Sequence, residues 1–277
     1  MVQIQPFLGT LQKLKRKTIR ALFHYDPSYS DMFLDKSEFY FARLYLHQME
    51  PYLSRLEEGA RILDAGCQAG RFTVPLGKMG FQMTAIDSSP LSLARAREHC
   101  KEFGVQAEFI RGDIGNVCDR LPPTDSFDLI LCTEVLYLHR HFESLMDTLL
   151  RVLKPGGLLI TSHRTKLYYL TKALLRKDFQ AARLIVTHRE GSLWGTYFNW
   201  QTVEELRELH SRLGLQTEGI CPIGIFSEIL LAPGDMEPPL QDQLFEIEKD
   251  PFDEVTGCTR YLLAVGKKIS TSHSDLS

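Results

Sequence analysis

Between Ile62 and Phe72 the chain reads Ile62-Leu63-Asp64-Ala65-Gly66-Cys67-Gln68-Ala69-Gly70-Arg71-Phe72. An apolar run ends in an acid, and a glycine turn leads into a helical stretch. Few folds accept that order. The apolar run suits a buried strand. The glycines let the backbone turn sharply and approach a ligand, and the amides that open the following helix favour an anion or carboxylate. The grammar then repeats. Phe81–Ile86 predicts a second strand, closing on Asp87, and Pro90–Phe103 a helix with proline in its first turn. Ala107–Arg111 predicts a third strand, followed by Gly112-Asp113, and Phe127–Cys132 a fourth. Phe142–Leu153 predicts a helix, stopped by Lys154-Pro155-Gly156-Gly157 before a fifth strand, Leu158–Ser162. Strands that alternate with helices and are apolar throughout imply a doubly wound α/β fold, with a mostly parallel sheet covered on both faces.

The flanks differ. Up to about Glu58 the chain predicts a helical cap, domain 1–58. It holds one helix around Leu11, Leu14, Thr18 and Leu22, and a second over Lys36–Leu56. Residues 59–268 form the main domain, with a helical and irregular insert at 166–200. Thr202-Val203-Glu204-Glu205 is a capping box that opens a helix to about Leu213, with Gly214 ending it. Leu215–Ile220 and Thr259–Lys267 predict two more strands, with a helix near Leu240–Glu248 between them. The Ser-rich tail 269–277 is expected to be disordered.

Asp64, Asp87 and Asp113 stand at the ends of three successive predicted strands. One such acid is ordinarily a turn or cap residue. Three in succession mark the carboxyl edge of the sheet, where open α/β folds bind ligands. A carboxylate at Asp87 can accept both hydroxyls of a ribose, and one at Asp113 can accept an amino group of adenine. Here the sequence resembles the class I S-adenosylmethionine-dependent methyltransferases, over about Arg61–His163 and more weakly over Asn199–Lys267. Ile62–Gly70 is similar to that family's first motif, Asp87 to its ribose-binding acid and Asp113 to its adenine-contacting acid. Phe127–Leu136 is similar to its fourth-strand motif, and Leu150–Gly157 to the helix and turn before strand five. The resemblance implies a seven-stranded sheet with an antiparallel last strand. It implies S-adenosylmethionine as cofactor, held by Asp64, Gly66, Cys67, Gln68, Gly70, Asp87, Ser88, Asp113, Ile114 and Thr133. One position departs from the family pattern: Gln68 stands where the middle glycine is usual. A side chain there can crowd the methionine part of the cofactor or hydrogen-bond it; cofactor binding is expected to survive, with tolerance of Gln68 the favoured reading.

Methyl transfer is an in-line displacement from an activated donor, so positioning can supply much of the catalysis and a dedicated base is not obligatory. His163, just after strand five, is the best-placed histidine for a base, ahead of His139 and His188; Glu134 can face the methyl group or brace its loop. The aromatic residues of the N-terminal helices, Phe39, Tyr40, Phe41 and Tyr45, and of the insert, Tyr168, Tyr169, Trp194, Tyr197, Phe198 and Trp200, predict either simple packing or an apolar pocket for an aromatic or lipid-like small molecule. The cluster Lys13, Lys15, Arg16, Lys17 and Arg20 reads as a solvated helix face, with peripheral membrane contact as the alternative.

The net charge of −3 offers no basic excess for nucleic acid. The spacing G-x-x-x-G is not that of a nicotinamide-binding turn, and no phosphate loop occurs. Six scattered cysteines without a C-x-x-C pair exclude a zinc motif and fit reduced thiols in a cytoplasmic protein. No apolar stretch reaches the length of a membrane span, and no signal peptide is expected. The expected function is methyl transfer to oxygen, nitrogen or carbon of a small molecule. An RNA or protein methyltransferase and a non-catalytic protein of the same fold are the alternatives; oligomeric state is left open.

Overall fold

The computed structural model describes residues 32–33, 35–121, 127–225, 227, 238–250 and 253–269. The expected helix around Leu11–Leu22, its basic cluster and the tail beyond Ile269 lie outside the described residues.

The first described helix, α1 (Lys36–Leu53), starts where Asp35 accepts the amides of Ser37 and Glu38. It ends three residues before the expected Leu56, after Pro51 in its last turn. From Arg61 the alternation is as expected: β1 (Arg61–Ala65), α2 (Thr73–Lys78), β2 (Gln82–Asp87), α3 (Pro90–Phe103), β3 (Ala107–Arg111), α4 (Ile114–Cys118) and β4 (Phe127–Cys132). A 3₁₀ turn, Leu136–Leu138, precedes α5 (Phe142–Arg151) and β5 (Leu153–Arg164). The insert holds α6 (Lys166–Leu175), α7 (Phe179–Thr187) and a small hairpin, β6 (Glu190–Leu193) with β7 (Thr196–Asn199). Then follow α8 (Val203–Arg212), β8 (Leu215–Ile223), α9 (Pro238–Glu248), a 3₁₀ turn at Asp253–Cys258, and β9 (Tyr261–Lys268).

The main sheet has seven strands in the order β3-β2-β1-β4-β5-β9-β8. β9 runs antiparallel to both β5 and β8, as expected of the last strand. The order reverses between β1 and β4, so a crevice opens at their carboxyl ends. On one face, α1 buries Tyr40, Tyr45, Leu46 and Met49 against Ile62, Leu129, Ile160 and Leu263 of the strands. The other face packs Leu63, Ile130 and Leu159 under α5 and α8.

One boundary expectation is corrected. Lys154–Gly157 does not separate helix from strand but lies inside β5. The pairing slips between Phe127 and Leu129, and Gly156 takes φ +76° to bulge the strand. Glycine and proline there signal a bulge, which a sequence pattern does not distinguish from a stop. The capping box at Thr202 forms in full, with Glu205 accepting the Thr202 amide at 2.9 Å.

Candidate active site

β1 delivers the glycine turn to the mouth of the crevice. The amides of Gly66 and Cys67 both donate to the Ile86 carbonyl, at 2.8 and 2.9 Å, which locks the turn against β2. Gly66 sits at φ +92°, and a Cβ there would collide with Val135 at the end of β4. Glycine is therefore required both by the backbone and by the close approach of the two strand ends. Asp64 lies beneath the turn and is buried. It accepts the Thr73 hydroxyl at 2.6 Å, and burial pushes its pKa up to about 6. It supports the cradle from below.

Asp87 closes β2, and its carboxylate bridges two backbones. Oδ2 accepts the Gln68 amide at 2.9 Å, and Oδ1 accepts the Ser89 amide at 2.8 Å. Both oxygens keep a lone pair for further donors. Gly112, just past β3, donates its amide to the Asp87 carbonyl at 3.1 Å, which draws the neighbouring strand end close. Asp113 is exposed and caps α4 through the Asn116 amide at 3.3 Å; Ile114 beside it is buried. Thus Gly66, Cys67, Gln68, Gly70, Asp87, Ser88, Asp113, Ile114 and Thr133 all gather at the carboxyl edges of β1 to β4. That arrangement suits an adenosine-like ligand with a charged tail.

Gln68 has φ +47°, a left-handed conformation that suits glycine. Its Oε1 is buried without a hydrogen-bond partner, an acceptor aimed at nothing in the chain. The cradle therefore lacks one donor, which an ammonium group would supply.

Across the crevice lies a buried ionic knot. Arg71, 6% exposed, sits between Glu38 of α1 and Glu134 after β4. Glu134 also accepts the Tyr261 hydroxyl, and its own amide donates to Ser162 Oγ at 2.6 Å. These ties hold Glu134 at φ +59°. Burial, the largest single influence, pushes its carboxyl up, but Arg71, Arg260, the Tyr261 hydroxyl and Arg164 together outweigh it and hold the group below the usual carboxylate range. Glu134 is thus an ionised brace, poorly suited to take a proton. Arg71, Glu38, Ser162 and Tyr261 carried no role in the sequence reading. The one local signal is Arg71 itself, a charge in an otherwise apolar run.

His163 is corrected as a base. It is fully buried on β5, with Nε2 at 2.9 Å from the Thr161 hydroxyl and its ring against Phe142. Burial, then His210, lower its pKa to about 3. A neutral imidazole sealed from the crevice relays no proton to an acceptor. His139 caps the 3₁₀ turn, and the exposed His188 bonds Thr187 at 2.7 Å. Trp200 packs the insert rather than lining a pocket: it is fully buried, and its indole donates to the His188 carbonyl at 2.8 Å. Tyr197 donates to Glu190 at 2.6 Å within the hairpin. A cavity of about 670 Å³ between α6, α8 and β8 is lined by Lys166, Gln201, Glu204 and Arg207. It contains none of the strand-end acids, and the chemistry lies elsewhere. Among the described residues no His, Cys, Asp and Glu cluster could hold a metal.

Comparison with known proteins agrees with this geometry. A family model described as a methyltransferase domain matches residues 56–210, more than half of the chain. Ubiquinone biosynthesis O-methyltransferase of Xanthomonas euvesicatoria pv. vesicatoria is 36% identical over 123 residues, covering 42% of this chain and 51% of the relative. The chain thus spans about half the length of the curated relatives it matches. Among solved structures, magnesium protoporphyrin IX methyltransferase from Synechocystis PCC 6803, with bound SAH, shares the fold at TM-score 0.55 and 15% identity, over 89% of each chain. The [4+2]-cyclase SpnF shares it at TM-score 0.54 and 17% identity, over 82% of this chain and 80% of that one.

Proposed function

The chain belongs to the methyltransferase domain family, and from that premise we propose that it transfers a methyl group from S-adenosylmethionine to a small-molecule acceptor at oxygen, nitrogen or carbon. The observation that carries this reading is the convergence of Asp87, Asp113 and the Gly66–Gly70 turn on the crevice where the sheet order reverses. The O-methyltransferase names of the curated relatives favour oxygen among the three acceptors. When bound, the cofactor supplies a sulfonium-activated methyl group. Asp87 would hold the ribose hydroxyls, Asp113 and Ile114 the adenine edge, and Gln68 with the turn amides the methionine end. Thr133 and Glu134 border the methyl side.

Glu134 is ion-paired and His163 sealed, so neither is suited to accept a proton on that side. Rate enhancement then rests on orientation and on exclusion of water by α1 and the insert. An acceptor that arrives ionised or loses its proton to solvent needs neither residue as a base. The fold also hosts a cyclase, so fold alone does not fix the reaction. The strand-end acids favour a cofactor-binding enzyme over a scaffold, which has no use for them. The charge of −3 and the absence of an amide clamp after β4 disfavour nucleic acid. Free thiols at all six cysteines fit a reducing compartment such as the cytoplasm. Among the described residues no helix is long and apolar enough to cross a membrane. Exposed Leu175, Phe179 and Val186 on the insert keep peripheral contact within the proposal.

Calorimetric titration with S-adenosylhomocysteine tests the reading, with binding expected at roughly 5–8 kcal/mol. Absence of heat and of thermal shift at millimolar ligand refutes it. A labelled-methyl screen over pooled small molecules, with RNA and protein as controls, then identifies the acceptor class.

A further inference from the structure

Arg164 ends β5 at the same edge of the sheet as the glycine turn, and only 8% of it is exposed. Its guanidinium carbon lies 3.9 Å from the Tyr261 ring centroid and 4.8 Å from those of Tyr137 and Tyr168. Nε and Nη1 are both buried with no hydrogen-bond partner. An arginine stays charged in proteins, and a buried guanidinium ordinarily meets a carboxylate or carbonyls. Here the close contacts of the guanidinium are ring faces. Glu134 feels its charge, but that carboxylate is ion-paired with Arg71 and accepts the hydroxyl of Tyr261, whose ring Arg164 covers.

A second donor in the same place is also unanswered. The Tyr169 hydroxyl is buried without a partner. Its ring packs on Tyr168 at 5.3 Å and on Phe198 at 5.1 Å, so it belongs to the same aromatic wall. Unanswered donors walled by aromatic rings call for a group that only accepts hydrogen bonds, carried on a flat apolar body. We propose that Arg164, with Tyr169, is the seat for the carboxylate of the methyl acceptor, which is an aromatic or otherwise flat organic acid. The seat lies next to the methyl side of the crevice through Tyr261, which touches both Arg164 and Glu134. The substrate assignment rests on the methyl-transfer reading above; the anion seat rests only on the geometry of Arg164 and Tyr169.

The test uses the full chain and a panel of aromatic and aliphatic monocarboxylates, trans-cinnamate and benzoate among them, each paired with its neutral amide. Affinities are measured by titration with and without saturating S-adenosylhomocysteine. At least one acid should bind about tenfold tighter than its amide, a preference weakened by salt. The preference should fall to nearly none in Arg164→Gln and by a few-fold in Tyr169→Phe, a conservative change that keeps the ring. S-adenosylhomocysteine affinity should stay unchanged in both variants. No acid-over-amide preference anywhere in the panel overturns the proposal. So does a preference that survives both substitutions, including the case in which Arg164→Gln only lowers the melting temperature. The two readings fail separately. If S-adenosylhomocysteine does not bind but the acid preference appears, methyl transfer falls and the anion seat stands. If it binds and the preference is absent, the seat falls alone.

Discussion

The two sides of the β1/β4 crevice handle charge in opposite ways. On the β1–β3 side the acids stand at strand ends, within reach of a ligand, and are held by backbone amides of near neighbours: Gln68 and Ser89 on Asp87, Asn116 on Asp113. On the β4–β5 side the charges are buried and cross-tied by distant side chains: Arg71 with Glu38 and Glu134, Glu134 with Tyr261, Arg164 under three rings. The first side is open and pre-shaped for a polar ligand. The second is closed and preloaded with charge, which suits positioning an acceptor away from water. A fold can vary the second side without disturbing the first, and so change substrate while keeping cofactor.

The largest expected effect falls on the closed side. Glu134→Ala removes a carboxylate from the buried guanidinium of Arg71 and the acceptor of the Tyr261 hydroxyl. Loss of one member of such a pair costs about 3–5 kcal/mol. Denaturant unfolding reads it directly. A loss below about 1 kcal/mol would mean that the knot is hydrated and behaves as a surface pair.

On the open side the expected cost is in binding, not stability. Asp87→Ala removes the proposed acceptor of the ribose hydroxyls, at about 1.5–3 kcal/mol for each charge-assisted bond. S-adenosylhomocysteine affinity should fall at least tenfold, while the fold is kept. If instead stability falls and affinity per folded molecule is normal, Asp87 serves mainly to tie the Gln68 turn to β2, and the contrast between the two sides breaks.

That contrast also explains what the sequence made legible. The open side is written locally. Asp64, Gly66, Gly70 and Asp87 lie within a few residues of the strands that carry them, so spacing alone placed them. The seven strands of the main sheet and α3 were legible for the same reason, since apolar period and caps are local signals, whereas the β6–β7 hairpin of the insert was not read. The closed side is written at long range. Tyr261 and Glu134 are 127 positions apart, and Arg71 and Glu38 are 33 apart. No pattern along the chain pairs them. His163 was misassigned because sequence position put it past a strand end. The structure keeps it inside β5, which runs to Arg164.

The buried histidines give the closed side a pH signature. Burial lowers His163 to about 3 and His210 to about 4, from an ordinary 6.5. Each therefore contributes stability above about pH 6.5 that is lost as pH falls, because the unfolded chain takes up the proton first. Asp64 has the opposite sign. Burial raises it from 3.8 to about 6, so its contribution is present at low pH and lost as pH rises through 6. Between about pH 6 and 4, unfolding takes up two protons at the histidines and releases one at Asp64. Stability should fall by about 1.4 kcal/mol per pH unit over that window. His163→Gln should flatten the slope and leave neutral-pH turnover intact. A turnover collapse in a folded His163→Gln protein would restore it as a base.

The smallest effect is the most informative about how the two sides meet. Gln68 occupies a left-handed position, φ +47°, at a cost of about 1 kcal/mol relative to glycine. Its Oε1 is buried without a donor, a further cost in the free protein. Gln68→Gly should therefore stabilise the free protein by about 1 kcal/mol, seen as a raised melting temperature. If the side chain were merely tolerated, as its departure from the glycine pattern suggests, cofactor affinity would hold or rise with that change. The orphaned acceptor argues the reverse. A residue that strains the turn and leaves an oxygen unanswered gains by receiving the ammonium of the methionine end, a bond worth about 1.5–3 kcal/mol to a charged donor. Part of that gain is offset by the shape freed at glycine, so a net loss of about 1 kcal/mol in affinity is expected. Melting temperature and S-adenosylhomocysteine titration on the same variant separate the two effects. Tighter binding in Gln68→Gly would show that Oε1 stays unanswered in the complex, and that the turn binds through its backbone alone.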